Sequence, residues 1–600
     1  MNQTKTGYIL GISRGHNAGV CLLKDGKIVF SIEEERLSRF KYDGSPLASM
    51  KKVLDYTDKV DYLVVAHTQS LKGCPKIEYS GDDMYTGMAR KLGLIDRKEN
   101  IWNHPQVIDV SNQHHKIHAA CAFYNSGFKN AVAVVVDGAG SEFTYNGKEK
   151  EHALWEVESI FNCSYDTGIT TKFKHFGCRD PIPNSYSTTM NFEYFDEPES
   201  QFECIITDHA GIVKCYEAVT EYCGFDAIEA GKTMGLFPYG KKNEGLPALF
   251  QQDMKLPISN RNIVIPTYPN SAILNSAMYE ELEAWFTEGD DPTTLDNRRD
   301  AAYWVQTQTQ QAVLNFIIKA ATQTGNNNVV LSGGYGLNCV ANYFYLTKLN
   351  ELGINLYVEP VSNDSGTAVG AALFWYYISS GDTALRNKAN TLYLGPHYNY
   401  TSEYIKNAAA KVEAEITDCT EDDIVDLLSR KHIVAMFQGR SENGPRALGN
   451  RSILFDPRYK DGKAYVNRVK NREYFRPFAG SILAEHAHEW FDLRGMEDSP
   501  HMMYAVNCQE GVAEKIPSVI HEDGTCRIQT VTKENNENFY ALINAFYKKT
   551  GMPILFNTSF NLGGEPLVET LEDALWTLEN SLIEYLYLPE CKKLIILKNG

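Results

Sequence analysis

The sequence predicts an α/β protein of at least two domains, and three observations carry that expectation. Its 600 residues exceed the roughly 250–300 at which a single core stops growing. Short apolar runs rich in Val and Ile alternate with longer helical stretches, the pattern of strands and helices packed in layers. A strand-and-hairpin unit at the start recurs near Asn130, so the N-terminal part reads as a duplicated fold.

The first unit opens with the strand YILGIS at 8–13 and the segment GVCLLKDGKIVFSIEEE at 19–35. Its KDGK turn, set between apolar residues, is a hairpin signal. The recurrence is AVAVVVD at 131–137, followed by GAGSEF, TYNGK and ALWEVESIF, with Asn146-Gly147 as the expected turn. Residues 298–325 read as a long helix, NVVLSGGYGLN at 328–338 as a strand with a Gly-rich exit, and GTAVGAALFWYYI at 366–378 as another helix. The polar, turn-rich stretch from Asn387 to Ser402 divides a domain over 1–390 from one over 400–600. In the second, IVAMFQG, PILFNTSF and KKLIILK read as strands among helices.

Composition narrows the function. A net charge of −18 disfavours binding to phosphate backbones, so nucleic acid is not an expected partner. No run of about 18 apolar residues and no secretory leader is apparent, and no membrane partner is expected. The 13 cysteines lack any Cys-x-x-Cys pair, which fits a cytoplasmic protein without a disulfide framework.

Two candidate sites stand out. His114 and His118 lie four apart in a helical stretch, so they share a face and can hold one ion. Asp137 at a strand end and Asp364 before a helix complete a His₂Asp₂ set, although Asp364 is equally placed to cap that helix. This donor set suits Fe(II), with Mn(II) or Zn(II) as alternatives. His16, in the loop after the first strand, is the candidate base for a substrate hydroxyl. Gly333, Gly334 and Asn338 form a turn where a ligand approaches the backbone.

The second site lies between Gly439 and Phe478. Arg440, Arg446, Arg451, Lys470, Arg472 and Arg476 crowd there in an otherwise acidic chain, and guanidinium forks with a lysine suit a phosphate or acyl phosphate. Downstream, His521, Arg527, Gln529, Asn557, Thr558, Ser559 and Asn561 add donors of the kind a nucleotide-activating site needs. There is no GxxxxGK[ST] loop.

At GHNAGVCLLKDGKIVFSIEEERLSR, HHKIHA, GKTMGLFPYG, SNDSGTAVGAAL, GRSENGPRALGNRSIL, VKNREYFRPFA, HEDGTCRIQT and FNTSFN the chain resembles the NodU/CmcH-type O-carbamoyltransferases. The resemblance runs over nearly the whole length. It implies an actin-like (ASKHA, TsaD-like) duplicated N-terminal domain and a YrdC-like α/β C-terminal domain. It implies that carbamoyl phosphate and Mg-ATP become carbamoyl-adenylate at a pocket matching Lys470, Arg472, Arg476, Arg527, Asn557 and Ser559. Transfer to a small-molecule hydroxyl would follow at a metal held by His114, His118, Asp137 and Asp364. The catalytic assignments are His16, Lys470 and Arg527, and a homodimer is the one assembly considered.

Phe237 in GLFPYG and Asn443 in GRSENGPR depart from the family's usual small residue and aromatic. The acidic balance and the stretch FEYFDEPESQFE suggest a cationic acceptor, such as an aminoglycoside or a saxitoxin-type alkaloid. The competing readings are an actin-like ATPase or small-molecule kinase, and a non-enzymatic metal or nucleotide sensor.

Overall fold

The computed structural model describes residues 7–67, 78–79, 82–97, 104–146, 151–178, 186–207, 211–244, 296–385 and 391–597. The chain divides into two compact units, Met1–Val29 with Asp43–Ala389, and Phe30–Tyr42 with Asn390–Gly600. Division near 390–400 alone does not capture this, because Phe30–Tyr42 falls with the C-terminal residues. Within that unit Ser31 N donates to Leu394 O (2.8 Å), Arg36 Nη2 to Gly444 O (2.6 Å) and Arg39 Nη1 to Leu567 O (2.6 Å).

The first unit contains the same sheet twice. Strands β1 (Tyr8–Arg14), β2 (Gly19–Lys24), β3 (Lys27–Glu33, of which Lys27–Val29 fall in this unit), β4 (Tyr62–His67) and β5 (Val107–Asp109) lie in the order β3-β2-β1-β4-β5. β1 is antiparallel to β2 and parallel to β4, which is parallel to β5. The second copy is built from β6 (Asn130–Val136), β7 (Glu142–Asn146), β8 (Glu151–Ser164), β9 (Gly168–Cys178), β10 (Tyr186–Tyr194), β11 (Glu197–Thr207), β12 (Asn328–Ser332) and β13 (Asn355–Val358). Its core order, β9-β8-β6-β12-β13, has the same directions strand for strand, with β10, β11 and β7 added to it. This repeat is the duplicated unit expected from the sequence.

The hairpin turns follow from local chemistry. Asp25 and Gly26 take φ of 49° and 78°, the paired left-handed conformation of a two-residue turn. β7 and β8 pair as expected, and the turn carrying Gly147 lies outside the described residues.

Two helices, α1 (His114–Ser126) and α2 (Gly366–Ser380), share a buried core with both sheets, including Ile9, Ile117, Ala120, Ala133, Ala368 and Leu373. Their close approach depends on absent side chains. A Cβ on Gly370 would lie 2.2 Å from Ile117 O, and one on Gly11 2.1 Å from Ala368 O. Parallel β6 and β12 bring their C-terminal ends together, with Ser332 opposite Val135, so the residues after them line a crevice beyond the sheet.

The second unit is α/β, as expected of the YrdC-like half. Among the described residues ten strands form one mixed sheet, in which β14 (Arg451–Phe455), β15 (Ala479–Leu483), β16 (Thr525–Val531) and β17 (Ile554–Ser559) concern the site. β15 is parallel to β16 and antiparallel to β17, and Ala479 stands opposite both Arg527 and Asn557. Leu454, Leu483, Val531, Phe539, Leu555 and Tyr587 belong to its core.

Gly11→Ala forces the added methyl against the carbonyl of Ala368. Overpacking of this kind costs about 1–3 kcal/mol or more. Thermal unfolding should show a lower midpoint for this variant, and an unchanged midpoint would show that β1 and α2 do not pack this closely.

Candidate functional site

The crevice of the first unit collects four groups from three elements. His114 and His118 lie on one face of α1, Asp137 directly follows β6, and Asp364 precedes α2. Their ligating atoms all lie within 4.8 Å of one another, and all four residues are buried. His114 Nε2 is 3.1 Å from His118 Nε2, 3.3 Å from Asp137 Oδ2 and 3.5 Å from Asp364 Oδ1, which is also 3.5 Å from His118 Nε2. Two nitrogens about 2.1 Å from one ion at tetrahedral or right angles stand roughly 3.0–3.4 Å apart, so the pair is already spaced for a shared cation.

The donor set fits a divalent ion on charge as well. Burial by itself would push the His114 imidazole down, but Asp137 and Asp364 hold it up at about 10. Burial opposes ionisation of Asp137 and Asp364, yet the neighbouring imidazoles keep both below the usual carboxylate range. Two carboxylates and two imidazoles thus demand positive charge at their centre, which a metal supplies without protonating its own ligands.

Surrounding groups fix the orientation. Gly334 N donates to Asp137 Oδ1 (3.0 Å). Gly333 makes that possible with φ at 87°, where a Cβ would meet Val136 O at 2.4 Å. Asp364 does not cap α2, which has no side-chain cap; its carboxylate faces the imidazoles instead. His16 Nδ1 stands 3.6 Å from Asp364 Oδ2, with half its side chain exposed. Asn338 Oδ1 caps the helix Cys339–Glu351 at Ala341 N (3.1 Å), and its amide pairs with Gln306. His115 leaves the set, placing Nδ1 2.8 Å from Ser159 Oγ.

In the second unit, sheet register assembles a cationic cluster. Lys470, fully buried, donates to Ser559 O, Asn561 O (2.7 Å) and Asn561 Oδ1 (3.1 Å). Arg472 reaches Thr558 Oγ1 at 3.5 Å and lies over the Phe478 ring. Burial and the neighbouring Arg472 and Arg476 charges push the Lys470 amine down; burial with Arg476 and Arg527 does the same to Arg472. Arg476 pairs with Glu473 at 3.4 Å, but among the described residues no carboxylate pairs with Lys470, Arg472 or Arg527. Arg472 Nε, Arg527 Nε and Asn557 Oδ1 are buried without hydrogen-bond partners. Lys470, Arg472 and Arg527, gathered around unsatisfied polar atoms, leave positive charge of the kind that suits an anion.

A neutral scaffold supports the cluster. Asn557 Nδ2 donates to Ser481 Oγ (2.9 Å) and Ala447 O (3.2 Å), while Gln529 accepts from Ser481 (2.7 Å) and donates to Leu448 O (2.9 Å). His521 is structural: burial lowers it to about 4, and Nε2 donates to Phe478 O (3.1 Å).

Two arginines expected in the pocket make hydrogen bonds to backbone oxygens. Arg451 is fully buried, stacked 3.8 Å from the Phe437 ring centroid, and donates to the backbone oxygens of Gln438, Gly439, Asn450 and Glu569. Arg440 donates to Gly395 O (2.6 Å) and Leu394 O (2.7 Å). Both shape loops. Arg446 lies half-buried in the loop between Glu442 and Leu448.

Sequence reasoning passed over Glu442, whose Oε1 accepts from Leu448 N (2.6 Å), Asn450 N (2.9 Å) and Arg451 N (3.3 Å). A lone acid inside GRSENGPRALGNRS was the available signal. Of the departures, Phe237 is buried beside Tyr303, and Asn443 N donates to Leu392 O (2.7 Å). Asp196 and Glu197, from the acidic stretch linked to a cationic acceptor, both pair with Lys116 (2.9 and 2.7 Å). No described helix is long and apolar enough to cross a membrane.

Residues 8–91 and 83–373 match the family described as Carbamoyltransferase N-terminus, and residues 425–593 match Carbamoyltransferase C-terminus. The chain is 30% identical over 583 residues to the nodulation protein NolNO of Sinorhizobium fredii, covering 94% of this chain and 76% of that protein. It is 28% identical to nodulation protein U of the same organism, covering 93% and 94%. Among solved structures, full-length HypF in its phosphate- and nucleotide-bound form is similar at TM-score 0.36 and 13% identity, covering 64% of this chain and 57% of that chain.

The charge balance in the crevice gives a pH prediction for protein stripped of metal. His114, near 6.5 when unfolded, is held at about 10 when folded, so its ion pairs stabilise fully below pH 6.5. That contribution is lost as pH rises from there through about 10. Unfolding temperatures of chelator-treated protein should fall across this window, whereas the metal-loaded protein should not show that fall. A flat profile for stripped protein would show that His114 is not paired with the two carboxylates.

Proposed function

Because the chain belongs to the carbamoyltransferase family and is an O-carbamoyltransferase, we propose that it works in two half-reactions on separate units. The second unit makes carbamoyl-adenylate from carbamoyl phosphate and ATP. The first transfers the carbamoyl group to a hydroxyl of a small-molecule natural product.

The observation that carries the proposal is the cationic cluster in which Lys470, Arg472 and Arg527 meet no carboxylate among the described residues, with Arg476 beside them. Carbamate is a poor acyl donor until one oxygen carries a good leaving group. Water hydrolyses carbamoyl phosphate: its oxygen adds to the phosphorus, the bond from phosphorus to the carbamate oxygen breaks, and carbamate and inorganic phosphate result. The carbamate oxygen then attacks the α-phosphorus of ATP, and pyrophosphate leaves. Lys470 and the three arginines bind the phosphates and offset charge that builds on the leaving oxygens. Thr558 and Ser559 supply neutral donors, and the Ser481–Gln529–Asn557 network holds the strand row that positions Arg527.

In the second half-reaction the acceptor hydroxyl attacks the carbamoyl carbon, the bond to the AMP oxygen breaks, and AMP departs. His114, His118, Asp137 and Asp364 would hold the divalent ion, Fe(II), Mn(II) or Zn(II), which when bound supplies Lewis acidity to an acyl or phosphate oxygen. His16, half-exposed at the same crevice, takes the proton of the acceptor hydroxyl. The peptide N–H of Gly334 holds Asp137 in place.

The acceptor we propose is cationic, on the strength of the net charge of −18. The pairing of Asp196 and Glu197 with Lys116 removes those two acids of the stretch as further support. An amine-bearing polyol should be carbamoylated faster than a neutral macrolactam; carbamoylation of the macrolactam alone would overturn this part.

Adenylation is tested by exchange of labelled pyrophosphate into ATP. Exchange should require carbamoyl phosphate and fall by about a hundredfold or more in Lys470→Ala and Arg527→Ala. Exchange that ignores carbamoyl phosphate, or survives both substitutions, would mean that the cluster serves another reaction.

A further inference from the structure

A fully buried ion pair stands behind the helix that carries the two imidazoles. Glu156 on β8 and Lys174 on β9 pair with each other, and neither side chain is exposed to solvent. Burying two charges costs several kcal/mol each unless hydrogen bonds satisfy them, so such a pair in a strand core calls for a role.

The remaining contacts of Glu156 supply one. α1 begins at His114 and has no side-chain cap from its own N-cap residue, Gln113. Its first amides are nevertheless filled from the neighbouring sheet. His115 N donates to Glu156 Oε2 (3.3 Å) and His114 N donates to Ser141 Oγ (3.0 Å). Ser141 is tied to the same carboxylate, since Ser141 N donates to Glu156 Oε2 (3.0 Å), and its hydroxyl donates to Ser111 O (2.9 Å). Gly140 allows this approach, because a Cβ there would lie 2.6 Å from His115 Cδ2 and 2.7 Å from Glu156 Oε2.

One carboxylate therefore caps the helix, orders the loop that supplies the second cap, and places negative charge at the positive end of the helix dipole. Lys174 keeps that carboxylate ionised and aimed. Because His114 is the first residue of α1, a shift of its first turn moves Nε2 directly.

We propose that Glu156, held by Lys174, is a tertiary cap that fixes the first turn of α1 and thereby sets the affinity of the His114–His118–Asp137–Asp364 site for a divalent ion. Both are positioning residues for that site, and the inference rests on the metal reading above.

Zn(II) affinity, measured by competition with a chelating dye, and amide exchange of residues 114–118 in metal-free protein test it. Glu156→Gln should weaken Zn(II) binding by about 10–100-fold, as removal of groups supporting metal ligands commonly does. The double variant Glu156→Leu with Lys174→Met, which leaves no unpaired charge, should do the same and should speed exchange at the start of α1. Glu158→Gln is the comparator. Glu158 is equally buried, pairs with His175 and accepts from Ile212 N (2.8 Å), so it should lose stability while keeping wild-type affinity. Wild-type affinity in a folded double variant, or equal weakening by Glu158→Gln, would overturn the proposal. Slow exchange at 114–118 in the double variant would overturn the capping role even if affinity fell. Absence of Zn(II) binding in the wild type would overturn the metal reading and this inference together.

Discussion

The convergence of two imidazoles and two carboxylates in a buried crevice is the constraint on which the first unit depends. His114, His118, Asp137 and Asp364 cannot remain together in a low-dielectric setting without positive charge at their centre. The four come from three parts of the duplicated fold: one helix for both imidazoles, the end of β6, and the turn into the helix that follows β13. The repeated sheet order brings those parts to one place, because parallel strands end at the same edge. The glycines that let α1, α2 and β1 approach closely are as necessary to the site as its ligands.

The second unit solves the opposite problem. Lys470, Arg472 and Arg527 are brought inward with oxygens from backbone and side chains but, among the described residues, without carboxylates to neutralise them. Acids in that position would quench the cluster and remove its attraction for phosphate. Charge in each unit is thus left unbalanced in the sense its ligand reverses, negative for a cation and positive for phosphoryl oxygens. This division fits a reaction in which activation and transfer make different electrostatic demands.

Much of this was legible in the sequence where local chemistry decides the outcome. KDGK fixes a two-residue hairpin, AVAVVVD, short, rich in Val and followed by Gly, reads as a buried strand, and His114 with His118 at four-residue spacing share a face once helical. What residue type cannot reveal is where a donor points. Arg440 and Arg451 sit in the same motif as the expected pocket, yet their guanidinium groups are spent on loop carbonyls, and Asn338 is spent on a helix cap. Those assignments depend on register and loop path, which are long-range. The transfer of Phe30–Tyr42 to the second unit is illegible for the same reason, since its partners Leu394, Gly444 and Leu567 lie hundreds of residues away.

Glu156 and Glu158 show a middle case. In ALWEVESIF two acids alternate with large apolar residues, and alternation by itself reads as a strand with one wet face. Both faces of β8 are in fact covered, and each acid finds a basic partner on β9, Lys174 for one and His175 for the other. Glu156 spends its second oxygen on α1 and Glu158 spends its second on the helix starting at Ile212. A single strand therefore anchors two helix starts through buried carboxylates, each also held by a side chain of the adjacent strand. Apolar side chains could fill that space with less desolvation cost, but they could not donate a fixed acceptor to a helix amide. Charge is retained in this core because the helix it holds must present its imidazoles with little freedom to move.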